Sequence, residues 1–147
     1  MRLYLDLNCF NRPFDNQEEG RVRLETEAIF SILSRVVEGR DSLVWSAALT
    51  FENSRHPKLD RAAEIALWQQ RAVVTVEPSV DIAHRAMAIN AEGISSLDAA
   101  HVACAEAGAA ETFLTCDDAL TTRAQRLRLR VRVMNPVEYW REVSSHG

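Results

Sequence analysis

The chain has 147 residues, 47% of them hydrophobic, and a formal net charge of −4 at pH 7; it can build a core without staples, and its acidic balance excludes a global field drawing it onto nucleic acid. No apolar run reaches the length of a membrane span, and Asp6 falls where a secretory signal needs apolar residues, so neither a membrane nor export is expected. Cys9, Cys104 and Cys116 form no CxxC pair and are odd in number, which favours reduced thiols in a cytoplasmic setting over a disulfide framework.

Leu3-Tyr4-Leu5 is a short apolar run and reads as a first strand ending at Asp6. A loop is expected through Asn11-Arg12-Pro13-Phe14-Asp15. From Glu18 to Val37 the pattern is helical, with Leu24, Ala28, Ile29, Ile32, Leu33 and Val36 on one stripe and Arg23, Glu25 and Glu27 on other faces. Gly39 is a C-terminal stop. Ser42-Leu43-Val44-Trp45 reads as a buried strand, Ala47 to Ser54 as a helix, and Leu59 to Gln70 as another. Ala72 to Val76 is β-branched and reads as a peripheral strand. Val80 to Ala91 is helical; Gly93 ends it, and Ser95 or Ser96 caps a helix that runs to Ala107 and closes at Gly108. Thr112 to Thr115 is a strand, Asp117 or Asp118 opens a helix to Arg126, Val131-Arg132-Val133 is a last strand, and Pro136 starts a terminal helix. Alternation of strands and helices predicts an α/β domain with a mainly parallel sheet. Ligands of such sheets sit beyond the carboxyl ends of the strands.

That rule directs attention to Asp6, Glu52, Asp98 and Asp117, each set in apolar sequence. A carboxylate near a core is costly without a partner. A hard divalent cation resolves the cost, because magnesium and manganese take oxygen ligands. It also converts the mutual repulsion of crowded acids into binding energy, and can activate water against a phosphodiester. Each acid has a structural alternative. Asp6 would shape the loop after the strand, Glu52 would pair with Arg55, Asp98 would close a capping box from Ser95, and Asp117 or Asp118 would be a plain N-cap.

At these residues the chain resembles the PIN-domain proteins. The resemblance spans nearly the whole chain, so that residues 1–147 read as a single PIN-like domain. It rests on Leu3-Tyr4-Leu5-Asp6-Leu7-Asn8, the helix carrying Glu52, Ser96-Leu97-Asp98-Ala99-Ala100-His101, Leu114-Thr115-Cys116-Asp117 and the late Val131-Arg132-Val133-Met134-Asn135-Pro136. It implies a three-layer α/β/α fold with a central, mainly parallel sheet. It also implies an endoribonuclease that hydrolyses RNA phosphodiester bonds with Mg2+ or Mn2+. Asp6, Glu52, Asp98 and Asp117 match the family's acidic positions, with Asp6, Asp98 and Asp117 as metal ligands. Asn8 and Thr115 match positions that support the acids by hydrogen bonding. Many small bacterial members are toxins of toxin–antitoxin pairs and many form homodimers, so an antitoxin protein and a second copy are implied partners. The Asn11–Asp15 loop departs from the general pattern.

Arg12 is a candidate phosphate contact, or a partner of Asp15. Arg126, Arg128, Arg130 and Arg132 alternate with apolar residues and would line one face of a strand, as an RNA-facing stripe or a charged edge. His101 shares a helix face with Asp98 and reads as a hydrogen-bonded structural residue. The rival reading is a non-catalytic PIN-fold module that binds RNA or a partner. A phosphatase with an aspartyl nucleophile at Asp6 is disfavoured, because Asn8 stands where its second acid belongs.

Overall fold

Leu3, Tyr4 and Leu5 offer no polar face to solvent, and the strand that contains them, β1 (Arg2–Leu5), is buried on both sides. In the computed structural model, which describes residues 1–145, β1 sits at the centre of a five-stranded sheet. The others are β2 (Ser42–Ser46), β3 (Ala72–Val76), β4 (Thr112–Leu114) and β5 (Arg132–Met134). The order is β3-β2-β1-β4-β5 and every pairing is parallel. β3 is an edge strand, in keeping with its reading as peripheral. The chain therefore builds outward from β1 in one direction and then in the other, which opens a crevice beyond the carboxyl ends of β1 and β4.

The helices are α1 (Leu7–Asn11), α2 (Gly20–Val37), α3 (Ala47–Ser54), α4 (Leu59–Ala66), α5 (Val80–Ala91), α6 (Ser96–Ala107), α7 (Asp118–Ala124) and α8 (Pro136–Ser145). α2 packs on α8 and α5 on α6; right-handed crossovers on a sheet that reverses its order place these pairs on opposite faces. No described helix is long and apolar enough to cross a membrane.

Four local expectations are corrected. The segment expected to be a loop is helical: α1 runs directly into a 3-10 turn at Arg12–Phe14, where Pro13 supplies a compatible φ. The helix expected to reach Gln70 tightens into a 3-10 turn at Leu67–Arg71. On α2, Leu24 is 53% exposed while Glu25 is 1% exposed, because Glu25 turns inward to meet Arg12, Arg21 and Asn135. The arginine run is not a strand face. Glu106 accepts the Arg130 backbone N–H and Arg85 donates to the Arg128 carbonyl, so this backbone bonds to side chains instead of a neighbouring strand. Only Arg132 lies in β5, and it pairs with Glu142.

α6 ends at Ala107 with Gly108 as its C-cap, as the sequence reading placed it. Gly108 does not supply the left-handed residue; Ala109 does, at φ 58°. Ala110 N–H bonds to Ala105 O and Ala109 N–H to Glu106 O, the Schellman pattern. Gly108 is needed for space: a Cβ there would lie 2.6 Å from Val44 Cγ1 and 3.0 Å from Val76 Cγ2. We predict that Gly108→Ala destabilises by about 1–3 kcal/mol through overpacking, whereas Ala109→Gly stabilises by up to about 1 kcal/mol by relieving the left-handed backbone. Urea unfolding of the two variants checks both signs.

Candidate active site

Asp6 follows the last residue of β1, and its backbone N–H continues the sheet by donating to Leu114 O. Its side chain is fixed by neutral donors: Thr115 Oγ1 donates to Oδ2 at 2.8 Å and Asn8 Nδ2 at 3.2 Å. Asn8 Nδ2 also reaches Thr115 Oγ1, and Asn8 Oδ1 accepts the Cys116 N–H, so α1 and the end of β4 are laced together across the crevice. Thr115 Oγ1 accepts the Asp117 N–H in turn. Asp117 is the N-cap of α7: its Oδ1 accepts the N–H groups of Ala119 and Leu120, leaving Oδ2 without a partner among the described residues.

Glu52 projects from α3 and does not pair with Arg55, which lies over the Phe51 ring. Its Oε1 is 2.7 Å from His101 Nε2. His101 Nδ1 is 2.6 Å from Tyr4 Oη, which is also 2.6 Å from Ser46 Oγ. Asp6, Glu52 and His101 each offer a ligand atom, all within 4.8 Å of one another. Asp98 stands in the first turn of α6, where Ser95 caps the helix by accepting its N–H. Asp117 and Glu52 repel its carboxyl, and Asp98 and Glu52 act in turn on Asp6, so the four acids influence one another. Sequence reasoning missed Tyr4 and Ser46. A signal existed for Tyr4, since a phenol in a fully buried strand needs a hydrogen-bond partner.

Burial pushes the Asp6 carboxyl up to about 6; Thr115 opposes the rise, and Asp98 and Glu52 add to it. Burial also raises Asp98, with Asp117 and Glu52 contributing repulsion. The buried acids of this protein fall into two kinds. Glu25, Asp41 and Glu106 each contact an arginine. Asp6, equally buried, contacts no lysine or arginine among the described residues, and neither do Asp98 and Asp117. Asp6 Oδ1 receives none of the described hydrogen bonds. Asp6 and Glu52 stand within reach of a common ion, and two repelling carboxylates so placed fit a hard divalent cation; the third group at that distance is the His101 imidazole, and Asp98 and Asp117 lie outside the group.

The nearby basic groups are already engaged. Arg21 holds Asp118 in a bidentate pair at 2.6 and 2.8 Å, which lowers the Asp118 carboxyl below the usual range. Asp118 is thereby separated in role from Asp117. Arg12 lies 3.1 Å from Glu25 and bonds Asp15 at 3.0 Å.

The Asp6 shift has a sign that can be tested. Unfolded, this acid ionises near the usual 3.8; folded, it keeps its proton to about 6. The folded state binds more protons across that window, so its stability falls as pH rises through it. In chelator at neutral pH, Asp6→Asn is expected to be more stable than the wild type by about 2–3 kcal/mol, the gap closing as pH falls below the window. Manganese should raise the wild-type unfolding midpoint and leave that of Asp6→Asn unchanged.

The sequence of residues 3–126 matches the model of the PIN domain. No curated protein matches significantly. A crystal structure of VapBC2 from Rickettsia felis bound to a DNA fragment from their promoter contains a similar chain, with a TM-score of 0.60 at 14% identity. The alignment covers 92% of this chain and 98% of that one, a likeness of fold. The matched model covers most of the sequence and the expected parallel sheet and its helices are in place, so the chain belongs to the PIN domain family, whose members are generally nucleases.

Proposed function

We propose that this protein is an endoribonuclease that hydrolyses RNA with magnesium or manganese held by Asp6, Asp98 and Asp117. The observation that carries the reading is the contrast among buried acids: among the described residues no lysine or arginine pairs with Asp6, while Glu25, Asp41 and Glu106 each have an arginine. A bound magnesium or manganese ion would supply Lewis acidity toward the phosphodiester and lower the pKa of a water. The remaining work belongs to the chain. Glu52, held at the rim of the cluster, orients the attacking water and accepts its proton. Attack on phosphorus breaks one ester bond, leaving a phosphate monoester on one fragment and a hydroxyl on the other. Thr115 and Asn8 keep the Asp6 carboxylate aimed by hydrogen bonding. Arg12 shapes the segment after α1, since two carboxylates already engage it.

The same proposal takes residues 1–147 as one PIN-like domain, acting in the cytoplasm as a homodimer. The VapBC2 assembly supports an antitoxin protein as a further partner. The rival, a non-catalytic module that binds RNA or a partner, draws support only from the net charge of −4.

Single-stranded RNA oligonucleotides should be cut in magnesium or manganese and left intact in chelator. Exchanging supporting residues of a metal site costs about 10–100-fold, so Asp6→Asn and Asp98→Asn should each lose at least about a hundredfold in kcat/KM, and Thr115→Val about tenfold. Cleavage that persists in chelator or in Asp6→Asn would sink the proposal. RNA binding without cleavage or metal uptake would establish the rival.

A further inference from the structure

A buried chain of side chains approaches the acids from the core side. Ser46 Oγ accepts the Leu49 N–H at 3.1 Å as the N-cap of α3, which leaves the Ser46 proton free for another acceptor. The nearest is Tyr4 Oη, at 2.6 Å. A phenol has a single proton, and with Ser46 donating to its oxygen, that proton goes to His101 Nδ1 at 2.6 Å. The ring proton is then on Nε2, where it meets Glu52 Oε1 at 2.7 Å. The other neutral tautomer would set a bare Nε2 against an acceptor-only carboxylate at that distance. None of these four side chains carries a buried polar atom without a partner.

Glu52 needs such a hold. Its side chain is 31% exposed on a helix of 8 residues, and Arg55 offers a competing charge along the same helix face. Arg55 instead lies 5.6 Å over the Phe51 ring, and His101, whose side chain is fully buried, has Glu52. We propose that Ser46, Tyr4 and His101 are positioning residues for Glu52: they lock His101 as the Nε2–H tautomer, and the imidazole holds the Glu52 carboxylate facing Asp6. The ring is a tether and not a metal ligand, because both its nitrogens are engaged by side chains. The catalytic consequence rests on the nuclease reading above; the tautomer and the tether do not.

The test uses the full chain and three variants, Tyr4→Phe, His101→Gln and His101→Ala. Nitrogen-15 NMR of histidine-labelled wild type should show His101 with a protonated Nε2 and a bare Nδ1. Tyr4→Phe keeps the ring's shape and should lower kcat on single-stranded RNA by about 10–100-fold while KM and calorimetric manganese affinity stay within about twofold. His101→Gln, whose amide N–H can reach Glu52, should recover most of the activity that His101→Ala loses. Three outcomes overturn the proposal: a proton on Nδ1, an unchanged kcat in Tyr4→Phe, or a loss of manganese affinity in His101→Gln as large as in Asp98→Asn, which would make the ring a ligand. A wild type that cuts no RNA overturns the nuclease reading alone. The tautomer then decides the tether, and that measurement needs no variant to fold.

Discussion

Mutual repulsion of carboxylates at the crevice between β1 and β4 is the constraint that organises this molecule. Asp6 is buried at a strand end, and Asp98, Glu52 and Asp117 enter from three different helices. Burial of Asp6 and Asp98, to which the neighbouring acids add repulsion, makes the folded state of the apoprotein less favourable near neutral pH, and the raised carboxyls of both are the signature of that penalty. A fold does not gather such groups for stability. Apolar residues of similar size would serve the core better, so the cluster points to a ligand that carries positive charge.

The other buried acids show what a structural carboxylate looks like in the same chain. Asp41 ties together the amino terminus, Arg35 of α2 and the Tyr139 hydroxyl of α8. Glu106 clamps Arg85 through two bonds and takes the Arg130 N–H, anchoring the segment before β5 to α6. Glu25 collects Arg12, Arg21 and Asn135 beneath the 3-10 turn that follows α1. In each case charge is neutralised inside the protein, and removing one partner would strand a buried ion. Asp6 lacks this arrangement while sitting among neutral donors that fix its direction without cancelling its charge.

Aim is therefore supplied by neutral groups. Thr115 and Asn8 orient Asp6, the α7 N-terminus orients Asp117, and the Tyr4–His101 pair stands behind Glu52. A hydroxyl, an amide or an imidazole can hold a carboxylate in place and leave it available to a cation. An arginine at the same spot would compete with the ion. The arginines that do come near, Arg12 and Arg21, are directed at Glu25, Asp15 and Asp118 instead.

Local sequence was sufficient for much of this. The apolar triplet before Asp6, the Ser95 cap before Asp98 and the short strand before Asp117 each place an acid at an element end, because strand and helix boundaries depend on near neighbours. Periodicity, however, cannot distinguish Leu24 from Glu25 as the inward residue of α2. That choice is made by Arg12, Arg21 and Asn135, of which Asn135 is 110 positions away. Nor could it keep Arg126 to Arg130 out of a strand, since the competing bonds come from Arg85 and Glu106 on other elements. Tyr4 reads as one more apolar strand residue and His101 as an ordinary helix residue until β1 and α6 meet. Their union with Ser46 and Glu52 spans separations of 42, 97 and 49 positions. The sequence by itself determined which residues could carry the charge and where each element ends; the packing of parallel strands decided which of them face one another, because hydrogen bonds and Coulomb forces act on distance in space and not along the chain.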